Sequence, residues 1–214
     1  DNLPRLIPHV HKFLSELSDK FELIIIEDGS PDKTGEVADS LASQFSGVRV
    51  IHHEKNMGYG ATLRDGFLNA KYEYVMYTDG DFQYDVAEFR PHLSLLSTYD
   101  VLSGFAPEKA ISLRRKIQSA VYNWLIAIIF FVWIKDIDCA MKIYKRKVLD
   151  SIKIKSASAF IDAEMLIKAR QQGFRIAQFP VTQYTRASGP EGGSKWPVIW
   201  TTIRDMVLFR LNLL

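Results

Sequence analysis

In the first half of the chain, segments with two kinds of apolar pattern alternate along the sequence. Between Leu3 and Leu17 they recur every three or four positions, which predicts an amphipathic helix over residues 3–18. Residues 21–26 form a short apolar run that ends at an acidic turn, which is typical of a buried strand. The same alternation predicts helices over 34–45 and 59–70, and strands over 48–52, 72–77 and 101–104.

Strands that alternate with helices indicate an α/β fold with a mixed, mostly parallel sheet flanked by helices. In such sheets ligands bind beyond the carboxyl ends of the strands, where the acidic turns at 27–28 and 79–81 fall. A helix precedes the first predicted strand, which is unusual for a βαβ fold. We therefore expect an N-terminal strand to be missing from this chain.

The second half contains two strongly apolar segments. Trp124–Ile134 is a run of eleven apolar residues, too short for a bilayer span of about 20 residues. It is either a buried core helix or a helix in a membrane interface, and its terminal tryptophans favour the interface. Residues 196–214 are also amphipathic, whereas the Gly- and Ser-rich residues 187–195 predict a loop.

Composition excludes several classes of protein. The chain has 214 residues and a net charge of +2, which is too balanced for a protein that coats nucleic acid. Its one cysteine, Cys139, forms no internal disulfide and builds no thiolate zinc site, so a reducing, cytosolic environment fits best. Asp1–Pro4 lacks the basic and apolar regions of a signal peptide.

Asp79-Gly80-Asp81-Phe82-Gln83 is the strongest chemical signal. It follows a predicted strand, Gly80 permits a sharp turn, and the alternation aims both carboxylates the same way. Two adjacent carboxylates, with Gln83 as a neutral oxygen donor, suit Mg²⁺ or Mn²⁺. The alternative is a solvated acidic turn that caps the next helix, and the position at a strand end favours the metal.

Two other turns are candidate donor contacts. In Glu27-Asp28-Gly29-Ser30, a carboxylate suits a ribose hydroxyl or a base N–H, whereas Asp32 is expected to cap the next helix. Asn56–Gly60 opens a helix whose free N–H groups suit a diphosphate, with close packing as the alternative.

The motifs in this order resemble the GT-A (Rossmann-like) glycosyltransferases of family 2, in particular the polyprenyl-phosphate sugar synthases. The resemblance runs over nearly the whole chain, although the family's opening strand is absent and Ala140-Met141 replaces its Gly-Phe. The matching segments are 27–30 for D-D-G-S, 56–60 for N-x-G-x-G, 79–83 for D-x-D-x-Q, Arg114-Arg115, 136–142 for D-x-x-[ST/C]-G-F-[RK], 173–181 for G-[FY]-[RK]-I…P-V, and Arg186 with 193–195 for R…G-x-S-K.

The resemblance implies one GT-A domain over residues 1–214, with a nucleotide-sugar half (1–104) and an acceptor half (105–214) whose amphipathic helices face a membrane. It implies inverting, metal-dependent transfer of a hexose from a UDP- or GDP-linked sugar to a polyprenyl phosphate at the cytoplasmic face of a membrane. Nucleic acid is not expected as a partner.

The resemblance also implies a set of site residues. Asp79, Asp81 and Gln83 are the expected metal ligands, and Asp79, Asp81 and Asp162 the expected catalytic residues. The expected donor contacts are Glu27, Asp28, Gly29, Ser30, Asn56, Gly58, Asp79, Gly80 and Asp81. The expected acceptor-phosphate contacts are Arg114, Arg115, Lys142, Arg186 and Lys195.

Three other functions stay open. A family 2 enzyme that acts on a saccharide hydroxyl needs a base, for which Asp162 is the candidate, although Asp162 and Glu164 are by default structural ion pairs. A strand followed by Asp-x-Asp also begins phosphohydrolases of the haloacid-dehalogenase type. The last alternative is a non-catalytic module that binds a nucleotide sugar or a lipid.

Overall fold

The computed structural model describes residues 2–186 and 196–214, which form an α/β structure. The elements, in chain order, are α1 (Leu3–Leu17), β1 (Leu23–Glu27), α2 (Thr34–Gln44), β2 (Val48–His52), α3 (Tyr59–Asn69), β3 (Tyr74–Tyr77), a 3₁₀ segment (Val86–Ser97), β4 (Val101–Phe105), α4 (Leu113–Phe130), β5 (Lys142–Lys145), α5 (Arg146–Ser151), α6 (Ile161–Gln171), β6 (Ile176–Pro180) and α7 (Trp196–Arg210). Each helix and strand predicted in the first half is present, with ends that differ by one or two residues.

The strands divide into two groups. β1 and β2 pair in parallel, and the other four strands form a sheet in the order β3-β5-β4-β6. In that sheet β4 and β6 are parallel, whereas β5 is antiparallel to both β3 and β4. The predicted mixed, mostly parallel sheet is confirmed, because β3, β4 and β6 share one direction and β5 runs against them. The antiparallel strand was missed because β5 has only four residues, and a lysine stands at each end.

This topology places four segments along one edge of the larger sheet. β3, β4 and β6 run in the same direction, so the residues that follow them leave the sheet together. β5 runs the opposite way, so the residues that precede it, 136–141, enter at this edge too. The acidic turn after β3 therefore lies beside segments 106–112, 136–141 and 181–186.

The apolar run over 124–134 is not one helix. α4 ends at Phe130, and Phe131 takes the left-handed conformation with φ 57°. Val132 and Ile134 are then buried, while Phe131 and Trp133 are exposed. Neither predicted alternative describes the whole run, since four of its eleven residues are buried and four others are exposed. Within residues 2–186 and 196–214, no helix combines the length and the hydropathy of a membrane span.

Candidate functional site

The Asp79–Gln83 turn leaves the carboxyl end of β3, as predicted. Its one left-handed residue is Phe82, with φ 58°, and not Gly80, beside which a Cβ would meet open space. Asp81 Oδ1 accepts the N–H of Gln83 at 3.0 Å, and Asp81 Oδ2 accepts from the Arg186 guanidinium. A bulky residue in this conformation is uncommon and costs of order 1 kcal/mol, and such strain concentrates at functional turns.

Asp79 is the half-buried carboxylate of this turn, and in the described part of the chain it accepts no hydrogen bond. Burial, together with the neighbouring charges of Asp81 and Asp162, raises the pKa of Asp79 to about 7. Negative charge without a hydrogen-bonding partner is stabilised by a cation, so these residues fit a divalent metal. No set of three His, Cys, Asp or Glu side chains converges in residues 2–186 and 196–214, so a metal here would need ligand oxygens from a bound molecule.

Gln83 is tied to the segment after β6. Its side-chain Nε2 donates to the backbone carbonyl of Tyr184 at 3.1 Å, and its backbone carbonyl accepts the Tyr184 N–H at 2.8 Å. This pairing holds the end of the acidic turn against residues 181–186. The side-chain oxygen, which is the predicted metal donor, is not used in these bonds.

Lys142 and Asp162 form a buried cluster next to the acidic turn. The Lys142 ammonium lies 2.8 Å from Asp162 Oδ1, 2.9 Å from the Tyr77 hydroxyl and 2.9 and 2.6 Å from the carbonyls of Ile137 and Cys139. Asp162 also accepts from the hydroxyls of Tyr77 and Tyr59. An ammonium has three donors, so Lys142 is saturated.

This cluster bears on two predictions. Lys142 is fully buried and its protons are donated to protein oxygens, which argues against its prediction as a ligand of the acceptor phosphate. Asp162 is 3% exposed with both carboxylate oxygens engaged, which argues against a general base and favours the structural ion pair. Sequence spacing gave no sign of Tyr59 and Tyr77, whose hydroxyls complete the cluster.

Asp28, on the turn after β1, organises the start of α3. Its Oδ1 accepts the Met57 N–H at 2.7 Å and contacts His53 Nδ1 at 2.7 Å, and its Oδ2 accepts the Gly58 N–H at 2.9 Å. These hydrogen bonds outweigh burial and lower the pKa of Asp28. The N–H groups of Met57 and Gly58, predicted to be free for a diphosphate, are thus held by this carboxylate.

The other predicted donor residues surround the same turn. Glu27 is buried and accepts the N–H of Ser30 at 2.6 Å. Gly29 has φ +64°, and a Cβ on it would lie 2.5 Å from the Lys55 carbonyl carbon, so the two loops interlock here. Asn56 is exposed. Asp32 accepts the Thr34 N–H at 3.0 Å at the start of α2, but the N-cap position of this helix is Lys33 and not the predicted Asp32.

Tyr59 connects the two acidic turns. It follows the Gly58 held by Asp28, and its hydroxyl donates to Asp162 Oδ2 at 2.9 Å. Asp162 in turn contacts Tyr77, two residues before Asp79. The two turns that the sequence indicated separately therefore belong to one hydrogen-bonded assembly.

The segment before β5 carries two aspartates in opposite surroundings. Asp136 is buried, accepts the Ala106 N–H at 3.2 Å and pairs with Lys109 at 2.6 Å. Asp138 is exposed and has no hydrogen bond or ion pair within the described residues. Neighbouring protein atoms nevertheless remove part of the water around its carboxyl group. This desolvation, with the charges of Asp162 and Asp136, raises the pKa of Asp138 to about 7. The sequence indicated both only as parts of a motif.

A cleft of about 610 Å³ lies between segment 106–110, α4 and Thr182–Gln183. Its cationic lining is Lys109, Lys116 and Lys135, and the Lys135 ammonium stands 4.1 Å from the Phe105 ring centroid. The predicted phosphate ligands Arg114 and Arg115 directly precede Lys116 but do not line this cleft. Arg186 pairs with Asp81, and Lys195 lies outside the described residues.

Curated relatives come from an archaeon, a protozoan and a bacterium. The chain is 30% identical over 172 residues to the glycosyltransferase AglD of Haloferax volcanii, covering 77% of this chain and 28% of that protein. It is 27% identical over 198 residues to the dolichyl-phosphate beta-glucosyltransferase ALG5A of Trichomonas vaginalis (84% and 60%). It is 26% identical over 202 residues to the polyprenol monophosphomannose synthase of Mycolicibacterium smegmatis (88% and 75%). The chain thus spans less than two thirds of the first two relatives.

Solved structures confirm the fold. Glucosyl-3-phosphoglycerate synthase from Mycobacterium tuberculosis, in complex with Mn²⁺ and UDP-glucose, matches with a TM-score of 0.71 at 20% identity, covering 100% of this chain and 77% of that one. Its complex with phosphoglyceric acid gives a TM-score of 0.72. The GT-A fold predicted from the sequence is thereby confirmed. The model of the family described as glycosyl transferase family 2 matches residues 1–153 of the 214, so the chain belongs to this family.

Proposed function

We propose that this protein transfers a hexose from a UDP- or GDP-linked sugar to a polyprenyl phosphate, with inversion at the sugar carbon. The observation that carries the proposal is the assembly that joins the Asp28 turn, through Tyr59 and Asp162, to the Asp79–Asp81 turn. The names of two relatives, a dolichyl-phosphate glucosyltransferase and a polyprenol monophosphomannose synthase, support a lipid phosphate as acceptor. The Mn²⁺ and UDP-glucose bound by the structural neighbour support the donor class.

The donor site is built around two carboxylates. Asp79 and Asp81, with the Gln83 side-chain oxygen, are the residues that would hold Mg²⁺ or Mn²⁺, which neutralises charge developing on the departing diphosphate. The Arg186 guanidinium forms an ion pair with Asp81 and adds a second positive charge beside the metal position. The Asp28 turn, with Glu27, Gly29 and Ser30, holds the nucleoside end.

The acceptor phosphate is assigned to the cleft lined by Lys116 and Lys135. Arg114 and Arg115 lie in the first turn of α4, next to Lys116, and attract the anion. Lys195 is proposed to contribute a further positive charge. A phosphate monoester has a second pKa of about 6, so its oxygen is already ionised at neutral pH. Such a nucleophile needs positioning more than a base, which agrees with an Asp162 whose oxygens are occupied.

A saccharide hydroxyl is the second candidate acceptor, and Asp138 is the observation that favours it. A hydroxyl must lose its proton, and a solvent-accessible carboxylate with a pKa of about 7 suits a general base near neutral pH. Asp138 is flanked by the two carbonyls that bind Lys142, at the same sheet edge as Asp79. This candidate replaces Asp162 by Asp138 as the base.

Two exposed apolar stripes support a membrane surface as partner. On α4 and α7, residues three or four positions apart share one face and stay exposed, which is unusual for a face in water. The basic residues Arg114, Arg115 and Lys116 adjoin the α4 stripe, and they favour the cytoplasmic leaflet with its anionic lipids. The α4 stripe is Leu113, Ile117, Val121, Trp124 and Ile128, with Phe131 just beyond the end of the helix; the α7 stripe is Trp196, Trp200, Ile203 and Val207, with Leu211 just beyond the end of the helix.

A donor and acceptor screen tests the activity. The protein, with Mn²⁺, is given UDP- and GDP-linked hexoses with a polyprenyl phosphate or with free saccharides, and released products are identified. A nucleoside diphosphate that appears only with polyprenyl phosphate supports the first proposal, and one that appears only with a saccharide supports the second. Free phosphate as the released product would instead indicate a phosphohydrolase, and metal-dependent binding without product would indicate a binding module.

Flotation with liposomes tests the membrane surface. The protein is mixed with anionic or zwitterionic vesicles at low salt, and the floated fraction is measured. We expect flotation with anionic vesicles that weakens with salt and with Trp124→Ser or Trp200→Ser. The matched control is Leu68→Ser, an equally exposed apolar residue on α3. Wild-type protein that stays wholly in the soluble fraction would refute the membrane surface.

A further inference from the structure

The acidic turn after β3 is contacted from outside by α1. Within that turn Phe82 lies between Asp81 and Gln83, and its backbone is left-handed, with φ 58°. The centroid of its ring lies 5.6 Å from that of the His9 ring, in an edge-to-face arrangement at 76°. The Arg5 guanidinium lies over the same ring, 5.5 Å from the centroid. Two side chains one helical turn apart on α1 therefore hold this ring.

His9 also contacts the chain just beyond the turn. Its Nε2 lies 2.7 Å from the Asp85 carboxylate, which accepts its hydrogen. The same Asp85 oxygen accepts the Ala87 N–H at 2.8 Å and so caps the 3₁₀ segment. His9 thus contacts both ends of segment 82–85, through the ring at one end and through the carboxylate at the other.

α1 is a fixed support for these contacts. Its inner side chains Leu6, Val10 and Phe13 are buried, and they share one core cluster with Val86 and Phe89 of the 3₁₀ segment. The helix and the segment that follows the turn are therefore held together by close packing. The acidic turn lies between β3 and this packed unit, so its shape depends on what α1 contacts.

The backbone of Phe82 needs this support. A phenylalanine with positive φ is unusual, because its Cβ crowds the following carbonyl oxygen, and its side chain offers no local hydrogen bond of the kind that asparagine makes. A return of φ to a negative value would turn Asp81 and Gln83, on either side, relative to each other. These are two of the three residues proposed to hold the metal. The contacts of the Phe82 ring with α1 oppose that change.

We propose that His9 is a positioning residue of the metal site, which acts through the ring of Phe82, with Arg5 as a second support. This inference rests on the proposed function, which supplies the metal at the acidic turn. In the described part of the chain, His9 has no hydrogen bond to a proposed metal ligand, and its hydrogen bond goes to Asp85. An effect of the His9 ring on metal binding therefore passes through Phe82.

Titration of Mn²⁺ by calorimetry, in the presence of UDP, tests this role. The variants are His9→Gln, Phe82→Ala and the two combined; glutamine keeps a polar group within reach of Asp85, so the first variant removes the ring alone. The matched control is His11→Gln, on the same helix, whose ring contacts Phe21 at 5.2 Å. The melting temperature of each metal-free protein is measured in parallel.

We expect the Mn²⁺ Kd to rise about fivefold in each single variant, since an aromatic pair is worth up to about a tenfold change in an equilibrium constant. The combined variant should match Phe82→Ala, because His9 acts through that ring, and the control should match wild type. A His9→Gln protein with a lower melting temperature but the wild-type Kd would show a merely structural role and overturn the inference. So would a combined variant in which the two effects multiply. Wild-type protein without Mn²⁺-dependent UDP binding would instead refute the proposed function.

Discussion

The ammonium of Lys142 donates to Asp162 Oδ1 at 2.8 Å, and neither side chain is more than 4% exposed. This ion pair fixes the start of β5 against α6 at the sheet edge that carries Asp79. It is completed by the Tyr77 and Tyr59 hydroxyls, so each charge is both paired and hydrogen-bonded. That is the condition under which a buried ion pair is tolerated.

Removing one partner of this pair should destabilise the fold strongly. We expect Lys142→Met to lower the free energy of unfolding by about 3–5 kcal/mol, since it leaves the Asp162 charge buried and unpaired. The measurement is urea denaturation followed by circular dichroism. The control is Arg90→Gln, which breaks the exposed pair with Glu16 and should cost under about 1 kcal/mol. Equal effects of the two substitutions would show that the buried pair has no special weight.

Asp136 and Asp138 should respond in opposite ways to the same substitution. The pKa of Asp138 is raised from 3.8 to about 7 in the folded protein, so the folded state favours the neutral carboxyl group. This preference stabilises the fold below pH 4, and the stabilisation is lost as pH rises through 7. Asp138→Asn removes this loss, and we expect a higher melting temperature than wild type at pH 8 but not at pH 4. Asp136→Asn weakens the contacts with Lys109 and Ala106, and should lower stability at pH 8. A lower melting temperature for Asp138→Asn at pH 8 would contradict this assignment.

Gly60 is required by the close approach of a neighbouring loop. A Cβ on Gly60 would lie 2.4 Å from the Ala157 carbonyl carbon, so Gly60→Ala should cost about 1–3 kcal/mol, although alanine normally favours a helix. Gly80→Ala is the control for stability, because a Cβ there meets nothing within 4 Å. Thermal unfolding of both variants checks the expectation. A Gly60→Ala protein as stable as wild type would mean that the loop moves away without cost.

The sequence predicted the first half of the fold well, because apolar periodicity reports directly on which face of each helix is buried. It could not predict β5, whose four residues show no useful pattern, nor the end of α4, which depends on the left-handed Phe131. The two acidic turns were found because they directly follow apolar strands. The burial of Lys142 and Asp162 could not be predicted, because charge says nothing about burial, and only the tertiary fold brings Tyr59 and Tyr77 into contact with them.

Asp81 should be needed for donor binding and transfer and not for folding. We expect Asp81→Asn to lower kcat/KM by at least about a hundredfold, because the charge that would face the metal and diphosphate is lost. Its half-buried side chain contributes one backbone contact and the pair with Arg186, so the melting temperature should change little. Titration of UDP with Mn²⁺ by calorimetry, with Asp19→Asn as surface control, measures binding. Normal Mn²⁺-dependent UDP binding by Asp81→Asn would refute the metal assignment.

Phe130 and Phe131 are neighbours in sequence with different roles, so their single substitutions separate packing from surface function. Phe130 packs against Phe209 at 5.5 Å and Phe160 at 6.2 Å, whereas Phe131 is 81% exposed. Phe130→Ser should lower the free energy of unfolding by roughly 2–4 kcal/mol through the cavity it leaves. Phe131→Ser should leave urea unfolding within about 0.5 kcal/mol of wild type, since the ring packs against little protein, while it reduces flotation with anionic liposomes. If Phe131→Ser unfolded as readily as Phe130→Ser, the exposed ring would be part of the core after all.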